Sequence, residues 1–205
     1  MTCYYNLCSP FRKQVENCAQ KNAGFFNNQV LSRAGHLVEA PLAAITHLID
    51  GAIGAGCGLV SIATLGMFRD FNTMSLEHLH SGGRVLDSTY RAFLKTINPK
   101  AHFNSQSLLK RDWAKKILDK ADKFRDSGNF LKKYVASRLT YALWGVASAV
   151  SRVAYGIIGV IAIPLSLLTL GTVYSINDMA SQSLRAPLII HDLFHSILRV
   201  INPWA

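Results

Sequence analysis

Acidic side chains are scarce in this chain. It has 12 Asp and Glu against 22 Lys and Arg, and charged residues make up only 17% of the 205 positions. With so few carboxylates no paired-carboxylate constellation can be placed, and G-x-S-x-G, the strand-to-helix turn of a serine nucleophile, is absent. The glycine-rich stretch "GAIGAGCG" (51–58) lacks the Gly-Lys-Ser/Thr ending that would hold phosphates and magnesium, and no strand signal precedes it. Four cysteines, Cys3, Cys8, Cys18 and Cys57, have no zinc-type spacing, and no histidine lies close to the first three in sequence. No charged n-region leads into an apolar segment at the start. Met-Thr is not a myristoylation signal, and "NPWA" is not a prenylation box. Alternation of the strand type is missing throughout. These absences argue for a non-enzymatic, all-α protein without cofactor or metal.

What is present is hydrophobic length. Apolar residues are 50% of the chain and the mean hydropathy is +0.19. Residues 153–174 contain no charge, and neither do residues 51–68. A helix needs roughly 20 apolar residues to cross the ~30 Å hydrocarbon core. The formal net charge of +10 favours an anionic lipid surface or nucleic acid as partner. Fifteen of the 22 basic residues fall in 69–138.

An internal repeat organises the chain. A shift of 105 residues carries Ser32-Arg33 onto Ser137-Arg138, Gly51 onto Gly156, Gly54 onto Gly159, and Thr64-Leu65-Gly66 onto Thr169-Leu170-Gly171. After one deletion, "LKTINPKA" (94–101) falls on "LRVINPWA" (198–205). The reading is an arm at 1–24, repeats at 25–101 and 130–205, and a basic amphipathic connector at 102–129.

Each repeat reads as three helices: amphipathic (27–49, 131–153), apolar (52–68, 156–174) and amphipathic (84–97, 188–201). In the first, apolar residues at 30, 34, 37, 38, 41, 42, 45, 48 and 49 are expected to form the buried stripe, with Arg33, His36, His47 and Asp50 elsewhere. Gly51, Gly54, Gly58, Gly156 and Gly159 are candidates for close helix packing. Both third helices are expected to stop at Asn-Pro.

Two histidines, His191 and His195, stand at i and i+4. Asp192 occupies the place of the zinc-peptidase glutamate and no third ligand is evident, so a polar helix face is favoured. "EHLH" (77–80) is placed in a connecting segment. In the connector, Lys110, Arg111, Lys115, Lys116, Lys120 and Lys123 are candidates to face anionic headgroups, with Trp113 and Trp204 at the interface. Because Trp113 and Phe124 lie on the apolar stripe of that helix, nucleic-acid stacking is disfavoured.

The hydrophobic segments 36–68 and 139–174, loop 69–138 and C-terminal helix 188–201 resemble reticulon-type membrane-shaping proteins. They are also similar, more loosely, to bilobed hydrophobic inclusion-membrane proteins of chlamydia-like intracellular bacteria. The resemblance implies hairpins wedged into one leaflet, with the N-terminus, connector and C-terminus on the cytoplasmic side. Homo-oligomers or protein partners are compatible with it. The alternative is a soluble pseudo-twofold bundle with the two apolar helices as its central pair, acting as an interaction module.

Overall fold

The computed structural model describes residues 3–19, 24–103 and 112–204. Lys110 and Arg111 lie outside them. The described residues form helices joined by short turns, without a strand. In chain order the helices are α1 (Ser9–Cys18), α2 (Ser32–Ala63), α3 (Arg69–Gly82), α4 (Val85–Ile97), α5 (Asp112–Arg125), α6 (Ser137–Leu168), α7 (Tyr174–Ser183) and α8 (Leu188–Ile201).

The first two expected helices of each half are in fact one. α2 and α6 each run 32 residues without a break, and each is preceded by a π turn, Asn27–Leu31 and Lys132–Ala136. Gly51 and Gly156 sit inside these helices and do not interrupt them. Each glycine costs a helix about 1 kcal/mol, and here the packing of the returning chain against Gly54, Gly58 and Gly159 offsets that cost. Pro41 and Pro164 are also accommodated within α2 and α6. The hairpin turn therefore falls later than the sequence suggests, and α3 and α7 occupy segments where no helix was expected. "EHLH" lies within α3.

The late turn has a local cause. At the end of α2, Leu65 and Gly66 take positive φ (51° and 69°), and Gly66 N–H donates to Ser61 O at 2.8 Å, closing the helix in Schellman fashion. Asn72 Nδ2 donates to Gly66 O at 2.9 Å. The second half repeats this with Leu170 (49°), Gly171 (68°), Gly171 N–H to Ser166 O at 2.9 Å, and Asn177 Nδ2 to Gly171 O at 2.7 Å.

After each turn the chain runs back along the helix it has left. Ser75 Oγ donates to Gly54 O at 2.9 Å, His78 Nδ1 meets Asp50 at 2.8 Å, and Ser88 Oγ meets His47 Nε2 at 2.9 Å. Further on, Lys95 and residues 99–102 share a cavity wall with His36. In the second half Ser166 Oγ donates to Asn177 Oδ1 at 2.6 Å, Arg152 Nε to Asp192 at 3.0 Å, and Ser196 Oγ to Tyr141 O at 2.8 Å. α3–α4 and α7–α8 are thus the returning limbs of two long helical hairpins.

The hairpins lie head to tail. Asn98, at the end of α4, donates through Nδ2 to Leu170 O at 3.1 Å, in the turn of the other half. Asn202, at the end of α8, donates to Gly66 O at 3.1 Å. α2 therefore begins at the end of the molecule where α6 finishes, and the two long helices run in opposite directions. They do not form the central pair. The halves meet through the returning limbs, α3 against α8 and α4 against α7. There the His80 and His191 rings lie 5.2 Å apart, and Asp87 takes Arg185 Nε at 2.7 Å.

Candidate functional site: an apolar exterior over a polar interior

The buried face of α2 reads Ser32, His36, Glu39, Ala43, His47, Asp50, Gly54, Gly58 and Ser61. The steps of three and four residues trace one continuous helical stripe. It is polar or small at every position. Leu37, Val38, Leu42, Ile45, Leu48 and Ile49 are exposed instead, as are Leu59, Val60 and Ile62 nearer the turn. The expected polarity of this helix is inverted, because the stripe assigned to the core faces outward and His36, His47 and Asp50 face inward. The physical reason is spatial. α2 packs closely on α3 at Gly54 and Gly58, and elsewhere its inner positions are matched to polar partners, Ser81 and Ser88 for His47, His78 for Asp50 and Arg12 for Glu39.

α6 has the same construction. Ser137, Thr140, Tyr141, Trp144, Gly145, Ser148, Ser151, Arg152, Gly159, Ala162 and Ser166 are buried. Leu139, Leu143, Val146, Val150, Val153, Ile157, Val160, Ile161 and Leu168 are exposed. Among described residues, buried polar side chains outnumber buried apolar ones, and alanine is the commonest of the latter. Soluble monomers rarely leave apolar patches of this extent open to water.

Glycines set the close approach. A Cβ on Gly54 would fall 2.5 Å from Leu79 N, and one on Gly58 would fall 3.0 Å from Ser75 Oγ and 3.2 Å from the Phe194 ring. Gly51 faces Gly82, and Gly159 faces Ser183 too closely for any side chain. Gly156 has only an ordinary contact, Ala186 Cβ at 3.9 Å.

The interior polar groups are organised around carboxylates. Asp50 meets His78 and accepts from Ser81 Oγ and from Tyr4 N–H at 2.9 Å, so the N-terminal segment folds onto the middle of α2. Glu39 takes Arg12 Nε at 2.6 Å and lies 2.8 Å from His36 Nδ1. Asp87 takes Arg91 Nε and Arg185 Nε, both at 2.7 Å, and Ser181 Oγ. Arg152 pairs with Asp192. Glu39, His47, Asp50 and Arg152, which look costly for an apolar environment when read along the sequence, are all partnered inside.

Folding also brings Cys3 close to Asp50 and His78, their ligand-type atoms lying within 4.8 Å of one another. This grouping is invisible in the sequence, since the three residues come from separate elements. In this structure it is a hydrogen-bonded hub centred on Asp50. The Asp50 carboxylate already has three donors, and burial and the neighbouring Asp50 and Glu77 push the Cys3 thiol up, which keeps its proton on. His191 and His195 are occupied otherwise. His191 Nδ1 lies 3.1 Å from Asp192, and Arg199 Nε donates to His195 Nε2 at 3.3 Å. Burial, with Arg199 and His191 nearby, lowers His195 to about 4.

No protein-family model, curated protein or solved structure matches this chain. Its function must be argued from the geometry.

Among the connector residues, Lys115, Lys116, Lys120 and Lys123 are exposed along α5, and Trp113 is half exposed. α5 lies against the first half of α6: Trp113 and Ile117 line a shallow pocket with Val146 and Val150, and Tyr141 OH donates to Asp122. Trp204 stacks near Tyr134, ring centres 5.6 Å apart, with Lys133 Nζ 5.4 Å from its ring. By length and composition, Asn27–Ala63 and Lys132–Leu168 could each cross a membrane.

Proposed function

We propose that this is a non-enzymatic membrane protein whose long axis lies in the plane of one leaflet, where it shapes or scaffolds the bilayer. The observation that carries this reading is the inversion of α2 and α6, polar faces inward and apolar faces outward. In lipid that arrangement is the stable one, because polar side chains facing the bundle interior keep their partners while apolar ones meet acyl chains.

The head-to-tail arrangement favours lying over spanning. α4 ends at one end of the molecule and α6 begins at the other, so residues 102–130 connect the two ends. That segment carries Lys110, Arg111, Lys115, Lys116, Lys120, Lys123 and Arg125 with four aspartates. If α2 and α6 crossed the bilayer, this connector would have to cross too, at roughly 3 kcal/mol for each charge near the centre. A 37-residue helix, π turn included, is also about 55 Å long, against a core of ~30 Å. With the axis in the plane, neither cost arises. The α5 lysines can then reach anionic headgroups, worth up to ~1 kcal/mol each. In this reading the two hairpins are copies of one unit, and inserted apolar volume in a single leaflet bends it.

The test is flotation of the purified protein with phosphatidylcholine–phosphatidylserine vesicles, followed by oriented circular dichroism of the bound protein. Flotation with the helix axes parallel to the surface is expected. A protein that stays monodisperse without detergent and ignores vesicles would overturn the membrane reading. Helix axes along the membrane normal would overturn the in-plane arrangement.

A further inference from the structure

α1, the first turns of α2, α4 and residues 101–103 line a cavity of about 250 Å³ that the membrane reading leaves unused. Its wall carries four permanent cations, Arg12, Arg84, Arg91 and Lys95, against two carboxylates, Glu16 and Glu39. It adjoins a larger cavity of about 540 Å³, which shares Lys95 and His102 and adds Lys100.

Three of the four cations have a carboxylate partner. Arg12 pairs with Glu39 at 2.6 Å, Lys95 with Glu16 at 2.9 Å, and Arg91 with Asp87 at 2.7 Å. Arg84 is the exception. Its Nε is buried without a hydrogen-bond partner among the described residues. The nearby Asp87 is already committed, one oxygen to Arg91 and Ser181 and the other to Arg185. Burial and the surrounding Arg185, Arg91 and Arg12 hold Arg84 below its ordinary pKa. A guanidinium kept among other guanidiniums, beside an open polar cavity and without a counter-ion of its own, is costly unless an anion completes it.

We propose that this cavity binds a phosphate-type oxyanion, with Arg84 as its principal contact and Arg12, Arg91 and Lys95 supporting it. A dianion matches the excess of two positive charges on the wall, and tetrahedral oxygens suit several guanidinium forks at once. Free phosphate and the phosphomonoester of a lipid headgroup present the same chemistry. The site stands apart from the membrane reading, since the free-phosphate arm of its test uses no vesicle.

The protein in detergent is titrated with inorganic phosphate and, separately, with dihexanoyl phosphatidic acid, following heat of binding and melting temperature. At least one probe is expected to bind saturably and raise the melting temperature. A response to both assigns free phosphate as a sufficient ligand, and a response to phosphatidic acid alone assigns the headgroup. Arg84→Gln should weaken binding at least tenfold while the ligand-free variant melts no lower than the parent, since it removes an uncompensated cation. Lys95→Gln, at the more open rim, should weaken binding severalfold. The proposal fails if neither probe binds saturably, if both variants bind like the parent, or if Arg84→Gln lowers the ligand-free melting temperature, which would show that Arg84 is already paired.

Discussion

Replacing Ile157, Val160 and Ile161 together by glutamine should separate membrane binding from folding. These side chains on α6 are 67%, 74% and 68% exposed, so the fold draws little from them. Full transfer of an isoleucine or valine side chain out of water is worth roughly 1.5–3 kcal/mol. About two-thirds of that, ~1–2 kcal/mol each, is available to lipid and not to the core. Losing it at three positions removes ~3–6 kcal/mol, a drop of roughly 10²- to 10⁴-fold in partitioning. Glutamine is a good helix former, so α6 itself should persist. The assay is vesicle partitioning by flotation, with helicity and melting in detergent measured on the same samples. Unchanged helicity with partitioning reduced by at least 10² is expected. If the variant partitions like the parent, the exposed face does not meet lipid. If it unfolds, that face is packed against something, and the inversion argument is wrong.

Other consequences follow from interior geometry. Gly54→Ala drives a Cβ into the α3 backbone and should cost several kcal/mol of stability in a detergent melt, whereas Gly156→Ala, with open space around it, should be neutral or stabilise by up to ~1 kcal/mol. Arg152→Met takes the guanidinium away from the buried Asp192, leaving only weaker partners such as His191, and should cost ~3–5 kcal/mol, and adding Asp192→Leu should restore most of the loss in chemical denaturation. His195, lowered to about 4 by burial and by Arg199 and His191 against the opposing pull of Asp192 and Asp122, is neutral in the folded protein at neutral pH. The unfolded chain binds its proton first, so its contribution is fully present above pH 6.5 and is lost as pH falls from 6.5 towards 4. An imidazole NMR titration with a midpoint near 4, together with a stability loss of at most ~3 kcal/mol over that window, checks this.

The sequence carried the helical class because its apolar residues recur at steps of three and four, and that spacing is independent of which face is buried. For the same reason it misled on orientation. Leu37, Ile45 and Leu48 form a stripe whether they point into a core or out of it, and only the partners of His36, His47 and Asp50, some from α3 and α4, decide between the two. The 105-residue offset placed Leu65-Gly66 and Leu170-Gly171 in register, and both pairs proved to be the hairpin turns. Nothing local marked them over Gly51 and Gly156 as the breaking points. The cavity around Arg84 was not legible, because Arg12, Glu39 and Lys95 are brought together only when α1 packs on α2 and α4 returns along it.

The bond from Asn202 to Gly66 joins residues 136 positions apart. At ~5–20 residues per second, a ribosome needs on the order of ten seconds to supply the second partner after making the first. Through that interval the first turn is held by its own bonds, from Gly66 N–H and from Asn72, while the inner flank on α3 and α4 is uncovered. The nascent first hairpin must therefore wait with that flank open until the last helix is made and can cover it.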